Sequence, residues 1–166
     1  MSAGPDRRAA LRLVPTTTEV ERPGVWFCGH CGAAPAGGTP APVSRVCGDC
    51  GLGLLLEARD DVAPDPGAPF VIADASLCVC AVSRSAEGLL GVGEQDAVGR
   101  PLTELVAPAD AEPEAQRNLA MLVAWSARGE DEPSHTVVRP INVFGVRFKV
   151  RIGACGPPRA ALIVLE

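Results

Sequence analysis

The chain has 166 residues, 47% hydrophobic and 21% charged, with a formal net charge of -5 and a pI near 5.1. That length gives room for one ordinary domain plus a small module, and the acidic balance argues against binding nucleic acid through bulk charge alone. No apolar run approaches the ~18 residues needed to span a bilayer; the longest, 52–56 and 160–165, are strand-sized, so no membrane role is expected.

Residues 1–24 mix Pro, Thr and small residues with charges of both signs. A short helix within them would be too short to persist alone, so a flexible N-terminal arm is expected. Arg7, Arg8 and Arg12 are followed by no apolar core, which does not read as a secretory signal. A cytoplasmic address follows as an expectation, and in that reducing compartment paired cysteines more often hold metal than form disulfides.

Residues 25–58 carry two matched pairs, Cys28-Gly29-His30-Cys31 and Cys47-Gly48-Asp49-Cys50. Each pair can present two thiolates to one ion, and two pairs close a tetrahedron of sulfur, the arrangement of a structural site. Gly32 and Gly51 follow the pairs; glycine there tolerates positive φ and lets backbone N–H groups turn back toward the thiolates. So small a module buries too little apolar surface to be stable unaided, and a metal is one of the usual remedies. The pattern Cys-x-x-Cys-Gly, loop, Cys-x-x-Cys-Gly resembles a zinc ribbon, with structural zinc on Cys28, Cys31, Cys47 and Cys50. His30 is expected as an exposed side chain between two ligands. Residues 59–69, acidic and Pro-rich, read as a linker.

From Phe70 the pattern changes. Strands are expected at 70–74 and 77–82, a short helix at 84–90 closed by Gly91, helical turns at 94–98 and 101–106, and one long helix at 112–128 with Asp110 as N-cap. Three strands follow, at 135–140, 143–152 and 159–165. In the middle one Val146, Phe148, Val150 and Ile152 face one way and Arg147, Lys149 and Arg151 the other. The last strand is apolar on both faces, so a second subunit, the metal module or the N-terminal arm is expected to cover its outer side. The order predicts an α+β domain on an antiparallel sheet.

That order resembles a Per-Arnt-Sim (PAS) domain. The resemblance is carried by Phe70, Val71, Ile72, Ala73 and Asp74, the strand 77–82, and Ser85 to Gly91. Glu94 to Val98, Gly99-Arg100-Pro101-Leu102 and Leu105 to Asp110 complete it. It implies an antiparallel five-stranded sheet with flanking helices over 70–166, and a sensing or interaction role. Many family members carry Asn where Ser83 stands, so a turn or ligand contact made by that Asn is in question. The reactive-cysteine motif of the flavin photosensors is missing, and the long helix lacks an axial His, so neither flavin nor haem is expected.

Cys78 and Cys80, two apart on a strand, are expected to share one face as buried core thiols, with a redox pair involving Cys155 as a minority alternative. His135 is expected to be a partly exposed structural residue. With two histidines in the chain, no nucleophile–His–acid arrangement can be assembled. Met121 and Trp125, four apart on the long helix, either widen its core face or line a ligand cavity or partner surface. Arg147, Lys149 and Arg151, with Arg139, form a basic ladder, usually a solvated face but also able to meet phosphate or an acidic partner.

The resulting expectation is a non-enzymatic cytoplasmic signalling or regulatory protein, with a zinc ribbon before a PAS-like domain. Protein partners or self-association as a dimer are expected, and a small-molecule ligand is possible. A nucleic-acid or transcription-machinery binder acting through the ribbon is the alternative, and a thiol redox sensor a further one.

Overall fold

A computed structural model describes residues 23–35, 41–110, 112–129 and 132–166. The arm expected over 1–24 lies outside them apart from Pro23 and Gly24.

Among the described residues eight strands form one antiparallel sheet. Five of them were expected: β3 (Phe70–Ala73), β4 (Val79–Val82), β6 (Ser134–Pro140), β7 (Phe148–Gly156) and β8 (Ala160–Leu165). Hydrogen bonding puts them side by side as β4–β3–β8–β7–β6, so the chain's last strand lies at the centre. The short β5 (Val106–Pro108) flanks β6 where a helical turn had been expected; only Leu102–Glu104 keep a 3-10 turn. β7 also starts later than expected, because residues 141–147 form the turn leading out of β6.

The helices follow their local signals. α1 (Arg84–Leu90) begins at Ser83, whose hydroxyl accepts from the Ala86 N–H at 3.3 Å, and ends at Gly91 in the left-handed region. Ser83 also accepts from the Phe70 N–H at 2.9 Å, so serine makes the turn contact that the missing Asn had put in question. α2 (Glu94–Ala97) follows. α3 (Pro113–Arg128) starts from Glu112 without a side-chain cap, so the expected Asp110 cap is corrected; Pro113 at the first turn needs no N–H partner. α3 packs across β7 and β8.

The period-two alternation of the central strands divides the core. Val150, Ile152, Ala161, Ile163 and Leu165 face the helices, meeting Leu90, Leu105, Leu119 and Val123. Phe70, Ile72, Leu162 and Val164 face the other side, and that outer face is also buried. What covers it is the cysteine module, one of the three covers expected. Its strands β1 (Gly24–Cys28) and β2 (Leu55–Arg59) form a hairpin, and β2 joins the main sheet by pairing with β7 at Glu57↔Gly156 and Ala58↔Cys155. β6 and β2 thus share one edge of β7 in succession, and the five-stranded sheet becomes an eight-stranded one.

Residues 59–69 connect the two parts and also pack between them. Val62 is 1% exposed and belongs to the outer cluster. It rests on Gly153 of β7, where an added Cβ would stand 2.5 Å from a Val62 methyl carbon. A side chain at 153 would push the covering segment off the sheet.

Candidate metal centre and its seating on the sheet

The β1–β2 hairpin serves two surfaces through strand alternation. Trp26, Cys28 and Leu55 point to the sulfur cluster, while Phe27, Leu56 and Ala58 point to the outer face of the sheet. Phe27 meets the Phe70 ring edge-on at 5.6 Å between centroids, a favoured aromatic geometry.

The two cysteine pairs are built alike. After each, a glycine N–H returns to the carbonyl of the first cysteine, Gly32 to Cys28 at 2.9 Å and Gly51 to Cys47 at 3.0 Å. Both glycines have the positive φ the sequence implied, 74° and 67°. All four Sγ atoms lie within 4.8 Å of one another. Cys28 and Cys50 approach to 3.7 Å and Cys31 and Cys47 to 3.8 Å. Four sulfurs ~2.3 Å from a central zinc ion sit ~3.8 Å apart along the edges of a tetrahedron, so these spacings fit one ion, whereas a disulfide would need ~2 Å. The cluster could hold a metal ion, and zinc fits it.

Backbone donors surround the sulfurs. Cys28 Sγ accepts from the N–H groups of His30 at 3.4 Å and Cys31 at 3.5 Å, and Cys50 Sγ from Gly53 at 3.4 Å. Burial pushes the Cys28 thiol up to about 12, while the Gly53 N–H, helped by that of Leu52, pulls Cys50 down to about 6. A cation among the sulfurs would favour the thiolate at every ligand. Gly53 was not singled out in the sequence. An added Cβ there would collide with Cys28 Sγ and the His30 backbone, and the Gly-Leu-Gly run after Cys50 is the signal that marks it.

His30 is not the exposed side chain expected. It is 13% exposed, and its Nδ1 lies 2.7 Å from Glu94 Oε2 at the start of α2. Glu94 Oε1 accepts from the Val82 N–H at 3.2 Å, and the His30 carbonyl accepts from the Arg84 N–H at 2.9 Å. The first cysteine pair is therefore clasped to the junction of β4, α1 and α2. The second is held through Arg45, which stacks 5.0 Å over Trp26 and donates to the carbonyls of Leu55 and Pro157.

The remaining candidates are scattered. Met121 and Trp125 are 43% and 47% exposed on α3. Lys149 and Arg151 lie on the outer face of β7 beyond the covered part, beside Val137 and His135 of β6, with Arg151 3.5 Å from Glu166. Arg147 precedes β7 and, like Arg139 and His135, is exposed. Cys78 is partly buried but Cys80 is exposed, which corrects the pair of buried core thiols; Cys155 is buried.

The sequence matches no family model and no curated protein. Solved structures similar to the chain include PAS domains. One is the PAS domain of an HTR-like protein from Haloarcula marismortui (16% identity, 60% of this chain and 79% of that one, TM-score 0.44). Another is the PAS domain of the RpfR quorum-sensing receptor of Cronobacter turicensis in complex with BDSF (16%, 63% and 97%, TM-score 0.44). A third is a domain of a sensory box sensor histidine kinase/response regulator from Geobacter sulfurreducens (13%, 62% and 85%, TM-score 0.46). The fold is a curled antiparallel sheet with its few helices gathered on one face.

Proposed function

We propose that this chain is a non-enzymatic cytoplasmic signalling or regulatory protein, a PAS-like sensing and protein-interaction domain with a structural zinc ribbon built into its sheet. The observation that carries the reading is the pairing of β2 with β7, which makes ribbon and domain one sheet. A change at either part then reaches the other through backbone hydrogen bonds rather than through a tether. Four thiolates saturate a tetrahedral zinc and leave no position for substrate, which suits a structural ion. The exposed Met121 and Trp125 on α3 and the fully exposed Phe144 offer apolar contacts for a partner or a second copy.

The nucleic-acid alternative is less well supported. Both described arginines of the ribbon turn inward, Arg45 of the loop before Cys47 onto Trp26 and Arg59 at the end of β2 onto Asp61 at 2.8 Å, so little charge remains there for phosphate. The redox alternative loses support because burial pushes the Cys155 thiol up to about 12, far from the thiolate that reacts. No helix among the described residues is long and apolar enough to cross a membrane.

Native mass spectrometry of freshly purified protein tests the reading. One zinc per chain, removed by strong chelation, is the expected result. A metal-free protein with an ordered ribbon would overturn it, and salt-dependent binding of an oligonucleotide would favour the alternative.

A further inference from the structure

A cavity of about 400 Å³ opens at the seam between ribbon and sheet. Its floor is the outer face of the sheet, with Ile72, Ala81 and Ala160. Its wall is ribbon, the backbone of Gly29 and Gly53 with Leu54 and Leu56. Phe27 and Val62 cover the rest of that face; here the cover stops short. The volume falls in the ~300–1,000 Å³ range of small-molecule sites.

The floor is shaped by an irregularity in the sheet. Val79 pairs with Ala73 but Ala81 with Ile72, so Cys80 is an extra residue in β4. Such bulges re-aim side chains beside binding sites, and both Cys80 and Ala81 line the cavity. The polar groups at its margin are Asp74, Glu94, His30 and Arg159, two carboxylates against one guanidinium. Glu94 holds His30 Nδ1 at 2.7 Å through Oε2 and accepts from the Val82 N–H at 3.2 Å through Oε1, which fixes its carboxylate at the margin. Carboxylates outnumber the guanidinium around an apolar floor.

We propose that this seam cavity binds a small, flat apolar molecule with a cationic or hydrogen-bond-donating head, an arylalkylamine in class. It lies on the face of the sheet opposite the three helices and gives the sensing reading above a ligand chemistry. The proposal rests on that reading, since the ribbon supplies one wall.

The test titrates the zinc-loaded full chain with 2-(1-naphthyl)ethylamine and, separately, with 1-naphthylacetate, which carry the same rings and opposite charges. The amine is expected to bind at least ~10-fold more tightly and to slow alkylation of Cys80. Ala81→Leu, which fills the floor, is expected to weaken amine binding at least ~10-fold while zinc content is unchanged. Should that variant misfold, Cys80 protection in the unaltered chain still decides. Equal binding of both compounds, or no protection of Cys80 in zinc-loaded protein, overturns the cavity proposal and leaves the ribbon reading standing. A chain that holds no zinc overturns both.

Discussion

The ribbon and the helix-covered side of the sheet solve the same problem with different means. The inner side buries a broad cluster from Val71 to Leu165, fed by β3 to β8 and all three helices. The ribbon's own cluster is Trp26, Cys28, Cys47 and Leu55, half of it cysteines of the sulfur cluster. Fully burying a large apolar side chain contributes about 1.5–3 kcal/mol, so the inner side can stand on packing while the ribbon cannot. The ribbon draws instead on its sulfur cluster and on the face it shares with the sheet. Stability in this molecule is therefore distributed unevenly, and the seam is where one source hands over to the other.

Removing the metal should break the comparison open most widely. Metal binding to small zinc domains supplies on the order of 10 kcal/mol of folding free energy. Chelation, or Cys47→Ser, is expected to release hydrogen exchange across 24–58 while the amides of β8 and α3 stay protected, as followed by mass spectrometry. Full protection of the ribbon without metal would contradict this account. The next effect is Leu162→Ala, expected to cost about 2–5 kcal/mol in urea denaturation. That cost should shrink in metal-free protein, because Leu162 faces the ribbon side. Leu105→Ala on the inner side should cost the same with or without metal.

Smaller effects sharpen the picture locally. Gly53→Ala forces the second cysteine turn away from Cys28 and is expected to lower zinc affinity about 10–100-fold in competition with a chromogenic chelator. Ser83→Ala removes a helix cap and orphans the buried Phe70 N–H, for an expected loss of about 1–2 kcal/mol in thermal denaturation. Glu94→Gln weakens the clasp on His30, a pair only partly shielded from water, and should cost under about 1 kcal/mol. A larger loss there would mean that the clasp, rather than the sheet pairing, holds the ribbon down.

Much of this was legible in the chain itself. The cysteine spacing and the glycines behind each pair foretold the sulfur cluster and its turns, because such a cluster is assembled from two local hairpin-like pieces. The limits of α1 and its Gly91 stop follow from nearest-neighbour preferences. The doubly apolar run at 160–165 announced that its outer face needed a cover. Other features left weaker traces. Val62 is the one bulky aliphatic residue in an acidic, Pro-rich stretch, yet its value depends on a glycine ninety-one positions later. Cys80 reads as a core residue under strict alternation, and only the bulge turns it outward. Met121 and Trp125 read equally well as core or surface, and the structure leaves both largely exposed.

The sequence by itself determined the local chemistry: where thiolates pair, where helices start and stop, and which strands carry two apolar faces. These depend on spacings of a few residues, which the backbone's own periods translate directly into geometry. Tertiary structure alone decided that the ribbon lies on the sheet, that His30 finds Glu94 sixty-four residues away, and that a cavity remains between the two parts. Those are outcomes of which surfaces meet, and surfaces meet to bury apolar area as a whole, a quantity no short stretch of chain encodes.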